Sequence, residues 1–185
     1  TNLGGWVNQR SPFHTTNRDD IFRQMHVASP QKRAQSPQGQ HIELGIAENN
    51  LFLMLAALGL SDSLFGARLL PVGTLYDPFI QRGLDALNYA CYQGARFLLV
   101  ATPSGITLAP EGGAHQSIAT PLMGIAQDGL AAFEPAFVDE LAVIMRWSFD
   151  YMRRGGDLEQ SERNWLRDET GGSVYLRLST RPVEQ

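Results

Sequence analysis

A single cysteine, Cys91, is present in 185 residues. One thiol forms neither an internal disulfide nor a thiolate zinc site, and a reducing compartment, the cytoplasm, is the simplest expectation. Charge is scarce as well: Asp, Glu, Lys and Arg make up 18% of the chain, and the net charge is −4. That balance argues against a nucleic-acid partner, because no basic stripe is available to replace phosphate counterions. The pairs Lys32-Arg33 and Arg153-Arg154 are too short to change this and read as solvated surface. Long apolar runs are missing too. The longest, residues 51–60, falls well short of the about 20 residues that a bilayer span requires. No signal peptide pattern is visible, and membrane association is not expected. There is no GxGxxG, P-loop or HExxH pattern, so nucleotide-binding and zinc-hydrolase readings have nothing to rest on.

What is present is enough apolar material for one real core, 43% of the residues. The length is that of a single domain, which usually runs to roughly 100–200 residues. The apolar opening, Thr1 to Val7 without an initiator Met, reads as a cut through a longer polypeptide. The first 40 residues are polar and loop-rich, with a short helical patch around Ile21, Phe22 and Met25 and an irregular stretch over 27–41.

Beyond that the pattern becomes orderly. Strands are predicted over 41–45, 68–73, 96–102, 130–133 and 173–178. The run Phe97-Leu98-Leu99-Val100-Ala101 is typical of a parallel strand buried on both sides. Helices are predicted over 47–60, 77–93 and 118–127, and a long one opening at Pro135. On the second, Ile80, Leu84, Leu87 and Cys91 share one face; on the last, Phe137, Leu141, Ile144, Met145, Ser148 and Met152 form a stripe. Residues 153–172 read as a surface excursion. Alternating strands and helices imply an α/β fold with a mostly parallel sheet and helices on both faces, and ligands in such folds sit at the carboxyl ends of the strands.

Three loops after predicted strands carry the unusual residues. Glu48, in Gly45-Ile46-Ala47-Glu48, stands in the first turn of an apolar helix. Negative charge there is favourable for the helix dipole by itself. If that helix start is buried, the carboxyl pKa rises and the group seeks a basic partner. Phe79, in Tyr76-Asp77-Pro78-Phe79-Ile80-Gln81-Arg82, is either core packing or a platform for a flat heterocycle. His115, in Glu111-Gly112-Gly113-Ala114-His115-Gln116, lies on a loop whose two glycines permit positive φ or a close ligand approach. It is either a structural or a functional histidine.

In this order and spacing the three segments resemble the pyrimidine-binding domain of the transketolase superfamily of thiamine-diphosphate enzymes. Gly45-Ile46-Ala47-Glu48 is similar to that family's Gly-Ile/Val-x-Glu, Pro78-Phe79-Ile80-Gln81-Arg82 to its Phe-Leu-Gln-Arg-like segment, and Glu111 to His115 to its Glu/Asp-Gly-x-x-His loop. Within the superfamily, Phe133-Glu134-Pro135-Ala136-Phe137 and the helix after it look like the homodimeric pyruvate dehydrogenase decarboxylating component. His115-Gln116, by contrast, looks like transketolase.

The resemblance implies a cofactor, thiamine diphosphate, and assigns roles. Glu48 shares a proton with the aminopyrimidine, driving the imino form that deprotonates the thiazolium carbon. Ile46 is the wedge that keeps the cofactor bent, Phe79 stacks on the pyrimidine, and Tyr76 is a second aromatic wall. His115, supported by Glu111, faces the substrate, a 2-oxo acid that loses carbon dioxide into the cofactor's electron sink. The acyl unit passes to a lipoyl-bearing acyltransferase. Gln127-Asp128-Gly129 lacks the following Asn of the family's diphosphate motif, so Mg2+ and diphosphate are expected on another domain, across a homodimer, and no metal ligand is expected here. Ketol transfer, of the transketolase or deoxyxylulose-phosphate-synthase type, and a non-catalytic remnant are the rival readings. Sugar-phosphate chemistry asks for basic residues at the phosphate end, for which Arg82 and Arg96 are the candidates.

Overall fold

The computed structural model describes residues 4–116, 118–155 and 170–184. Contacts divide the chain into two compact units, Thr1–Ile46 and Ala47–Gln185.

The first unit holds helix α1 (Gly4–Arg10), which buries Val7, and the single turn α2 (Ile21–Gln24). The α2 N-cap, Asp20, accepts from the Arg23 amide at 3.3 Å and from the Arg33 amide at 2.8 Å. These backbone donors, Arg33 foremost, hold its carboxyl below the ordinary aspartate value. Residues 41–45, expected as a strand, are not one. His41 makes an isolated bridge to Pro12, and Gly45 then turns into the left-handed region at φ 70°, which ends any extended run.

The second unit runs α3 (Glu48–Gly59), α4 (Ser61–Phe65), β1 (Val72–Leu75), α5 (Leu84–Tyr92), β2 (Leu98–Ala101), α6 (Thr120–Ala126), β3 (Leu130–Phe133), α7 (Val138–Arg153) and β4 (Ser173–Arg177). The four strands form one parallel sheet in the order β1-β2-β4-β3, with Val72 opposite Leu98, Leu98 opposite Val174 and Leu130 opposite Ser173. Side chains alternate across it. Leu99, Ala101 and Tyr175 face a core built with Phe52 and Leu55 of α3 and Leu87, Ala90 and Cys91 of α5, against which Met123 of α6 packs. Leu98, Val174 and Leu176 face α7, where Tyr151 and Met152 are buried. Both faces are therefore covered, as expected for an α/β fold. Each fully buried residue such as Phe52, Leu87 or Leu99 contributes about 1.5–3 kcal/mol by leaving water.

Several boundaries differ from the sequence reading. The first strand lies at Val72–Leu75 rather than over 68–73, although the Pro71 carbonyl still accepts from the Leu98 amide at 3.0 Å. The helix expected over 77–93 is divided: Asp77–Gly83 is a 3-10 segment and only Leu84–Tyr92 is α-helical. Pro78 opens that segment, and Gly83 lies against the Phe52 ring, so tight local packing decides its pitch. Ile80, Leu87 and Cys91 nevertheless reach one buried face, with Leu84 packed beside them. Helix α7 begins at Val138, after Pro135 rather than on it. Phe137 has no side-chain acceptor, and Glu140 reaches back instead to the amides of Ala136 and Phe137 at 2.9 and 3.1 Å. Its stripe of Leu141, Ile144, Met145, Ser148 and Met152 does face the sheet. Of the excursion expected over 153–172, residues 156–169 lie outside the described residues.

Among the described residues no helix is long and apolar enough to cross a membrane. The Arg96 amide, just before β2, donates to the Gly59 carbonyl at 3.2 Å. This pins the end of α3 to the amino edge of the sheet and leaves Glu48, at the other end of this twelve-residue helix, at the carboxyl edge.

Candidate functional site

Glu48 opens α3 with its side chain only 14% exposed, and Arg82 Nη1 lies 3.6 Å from its Oε1. The basic partner that a half-hidden carboxylate needs is therefore present, and it comes from the segment after β1. The same guanidinium lies over the Phe79 ring, with Cζ 3.6 Å from the ring centroid. Phe79 in turn makes a T-shaped contact with Tyr76, centroids 5.0 Å apart and planes at 81°. Ring quadrupoles favour both arrangements.

Tyr76 carries the chain of contacts to the next loop. Its hydroxyl donates to Glu111 Oε2 at 3.2 Å and lies 3.1 Å from His115 Nδ1. With the phenol proton given to Glu111, the oxygen accepts from His115 in the Nδ1–H tautomer. His115 Nδ1 and Glu111 Oε2 are 3.6 Å apart, and both side chains are about half exposed, 53% and 50%. Burial, then the neighbouring Glu111 carboxylate, pushes the Tyr76 phenol above its ordinary pKa. The loop reaches this shape through Gly112 and Gly113, at φ 67° and 56°, where a side chain would be strained.

The residues singled out in the sequence thus fall into one contiguous run, Glu48–Arg82–Phe79–Tyr76–His115/Glu111, because β1 and β2 are neighbours in the sheet. One premise needs correction: the Glu48 loop does not follow a strand, since 41–45 forms none, and Glu48 arrives instead on the start of α3. Ile46 belongs to the first unit and is exposed. Tyr76 and Phe79 are part-buried.

A second cluster escaped the sequence reading. Asp77 is fully buried and accepts from Thr120 Oγ1 at 2.7 Å and from Tyr175 Oη at 3.0 Å, with Arg177 Nε and Nη2 each 3.4 Å away. Arg177 also pairs through Nη1 with Glu134. In sequence, Asp before Pro at a strand end signals only a turn or helix start, and nothing local announces burial.

Of the two basic candidates for a sugar-phosphate site, Arg82 lies within this run and Arg96 lies away from it. Arg82 is held by Glu48 and Phe79. Arg96 donates to the backbone carbonyls of Met152, Arg154 and Thr170. Among the described residues no group of three or more His, Cys, Asp or Glu is arranged to hold a metal ion.

No family model matches the chain. Over 120 residues, 64% of its length, it is 32% identical to the pyruvate dehydrogenase E1 component of Corynebacterium glutamicum, and the match spans 13% of that protein. This likeness and the all-parallel sheet fit the family resemblance drawn from the three motifs.

Proposed function

We propose that the chain forms the pyrimidine-binding face of a thiamine-diphosphate-dependent 2-oxo acid dehydrogenase, acting on pyruvate or a close relative. The single observation that carries this reading is the joining of Glu48, Phe79, Tyr76 and His115 in one run of contacts. The residues also fit the cofactor. Glu48 and Phe79 already hold a planar, delocalised nitrogen cation, the Arg82 guanidinium, by the two contacts an aminopyrimidine asks for: a carboxylate at its edge and an aromatic ring on its face.

When bound, thiamine diphosphate supplies a nucleophilic carbon and an electron sink for decarboxylation. In this reading Glu48 exchanges a proton with the pyrimidine nitrogen, Phe79 fixes the plane of the ring, and Tyr76 walls the site. Ile46 would pack against the bound cofactor. His115 hydrogen-bonds the substrate oxygen or moves a proton to it, with Glu111 and the Tyr76 hydroxyl orienting the imidazole. Diphosphate and Mg2+ are assigned to a separate domain, across a homodimer interface, and the acyl group to a lipoyl-bearing acyltransferase.

The test is carbon dioxide release by the full-length enzyme with thiamine diphosphate and Mg2+, offered pyruvate or 2-oxobutyrate. Release that Glu48→Ala abolishes supports the reading. No release from either acid sinks it, and transfer of a two-carbon ketol unit between sugar phosphates would replace it. Activity untouched by Glu48→Ala would remove the catalytic role of this domain.

A further inference from the structure

The partly exposed run of site residues stands on a buried charge. Asp77 follows Tyr76 directly and shares a short 3-10 segment with Phe79. Its fully buried carboxylate accepts from three side chains on two other elements: Thr120 on α6, and Tyr175 and Arg177 on β4. Arg177 extends the set to Glu134, which directly follows β3. Thr120 opens α6 on the same connection that carries Glu111 and His115. The carboxylate therefore ties the segment bearing Tyr76 and Phe79 both to the sheet and to the end of the loop bearing His115.

Such an arrangement is a poor source of stability. Desolvating a buried pair offsets most of its Coulomb gain, and an apolar set of the same volume is often as stable or more so. What a network with several fixed donors does supply is geometry, because every displacement of the carboxylate breaks hydrogen bonds from different directions.

We propose that Asp77 is a positioning residue whose buried carboxylate, gripped by Thr120, Tyr175 and Arg177, holds Tyr76 and Phe79 in register with Glu111 and His115. The inference rests on the function proposed above for its kinetic consequence, but its structural consequence is independent of it. Asp77→Asn preserves size and removes the charge that faces Arg177. The Tyr76 hydroxyl then leaves hydrogen-bond reach of Glu111 and His115.

The experiment is a double-mutant cycle in the full-length enzyme, with Asp77→Asn, Tyr76→Phe and the pair, together with a crystal structure of Asp77→Asn. Asp77→Asn is expected to lower kcat about 10–100-fold, the scale of an ångström-sized misplacement, while KM changes far less. Tyr76→Phe added to Asp77→Asn is expected to cost almost nothing more, because both act through the same hydroxyl. Additive losses, or a Tyr76 hydroxyl still bonded to Glu111 and His115 in the variant structure, overturn the proposal. If the wild-type enzyme releases no carbon dioxide, the function falls and the crystal structure alone decides the role of Asp77. If Asp77→Asn does not fold, Thr120→Val removes one donor and spares the ion pair. The same displacement is expected, with a smaller kcat loss, and an unmoved Tyr76 overturns the proposal there too.

Discussion

Arg96 and Arg177 stand at opposite edges of one sheet and are used in opposite ways. Arg96, at the amino edge before β2, gives its guanidinium to backbone carbonyls: Met152 at 3.2 Å, Thr170 at 2.6 Å, and Arg154. Met152 and Arg154 mark the end of α7, where the terminal carbonyls and the helix dipole attract a cation. Arg177, at the carboxyl edge of β4, gives its guanidinium to the carboxylates of Asp77 and Glu134. The first arrangement helps to close a helix end, together with Arg68, whose Nη1 donates to the Arg153 carbonyl at 2.6 Å. The second gathers the segments that carry the candidate site. The same side chain serves stability at one edge and placement at the other, according to what accepts its hydrogen bonds.

That contrast can be broken by experiment on the full-length protein, with catalysis measured as the activity proposed above. The largest effect belongs to the carboxyl edge: Glu48→Ala is expected to lower kcat on the order of 10²–10⁴-fold, the range for a positioned proton-transfer group, with little change in thermal midpoint. Next is Arg96→Ala at the amino edge. It removes a donor from the carbonyls of Met152, Arg154 and Thr170, destabilises by roughly 3 kcal/mol, and leaves kcat of the folded protein near wild type. Loss of catalysis without loss of stability in Arg96→Ala would erase the distinction between the edges. His115→Asn follows, with kcat down about 100-fold, measured as carbon dioxide release at saturating 2-oxo acid.

The smallest effect concerns pH. Burial and neighbouring carboxylates raise the phenols of Tyr76 and Tyr175 above the ordinary value of 10.0. Below pH 10 both the folded and unfolded chains keep these protons, so the full stability is present. At higher pH the unfolded chain releases protons that the folded one retains, and stability falls. The thermal midpoint is therefore expected to decline above about pH 10, and Tyr175→Phe to flatten that decline. A midpoint that rises with alkalinity would contradict the buried placement of the Tyr175 hydroxyl.

Much of the fold was legible because it rests on periodicity. The apolar run around Leu98 and Leu99, the stripe from Leu141 to Met152 and the face of Ile80, Leu87 and Cys91 all bury as their spacing demands. The misread pieces are those where packing overrides local preference. Residues 41–45 look like a strand, yet Gly45 turns away. Residues 77–83 look α-helical, yet Pro78 and the approach of Gly83 to Phe52 tighten them to a 3-10 pitch. For the site, Glu48, Phe79 and His115 were visible as odd residues on loops, and their likeness to family motifs linked them. Arg82 was visible only as a possible phosphate ligand, and Asp77 was not visible as part of a site.

The sequence by itself determined the α/β class, the covered parallel sheet and the residue types at its carboxyl edge, because helix and strand periods are local properties of the chain. Only the tertiary structure decided the rest: that Arg82 lies on Phe79 and beside Glu48, that the Tyr76 hydroxyl meets Glu111 and His115, and that Asp77 is buried among Thr120, Tyr175 and Arg177. Those contacts join residues up to a hundred positions apart. Their partners are chosen by the strand order β1-β2-β4-β3, which no local spacing encodes.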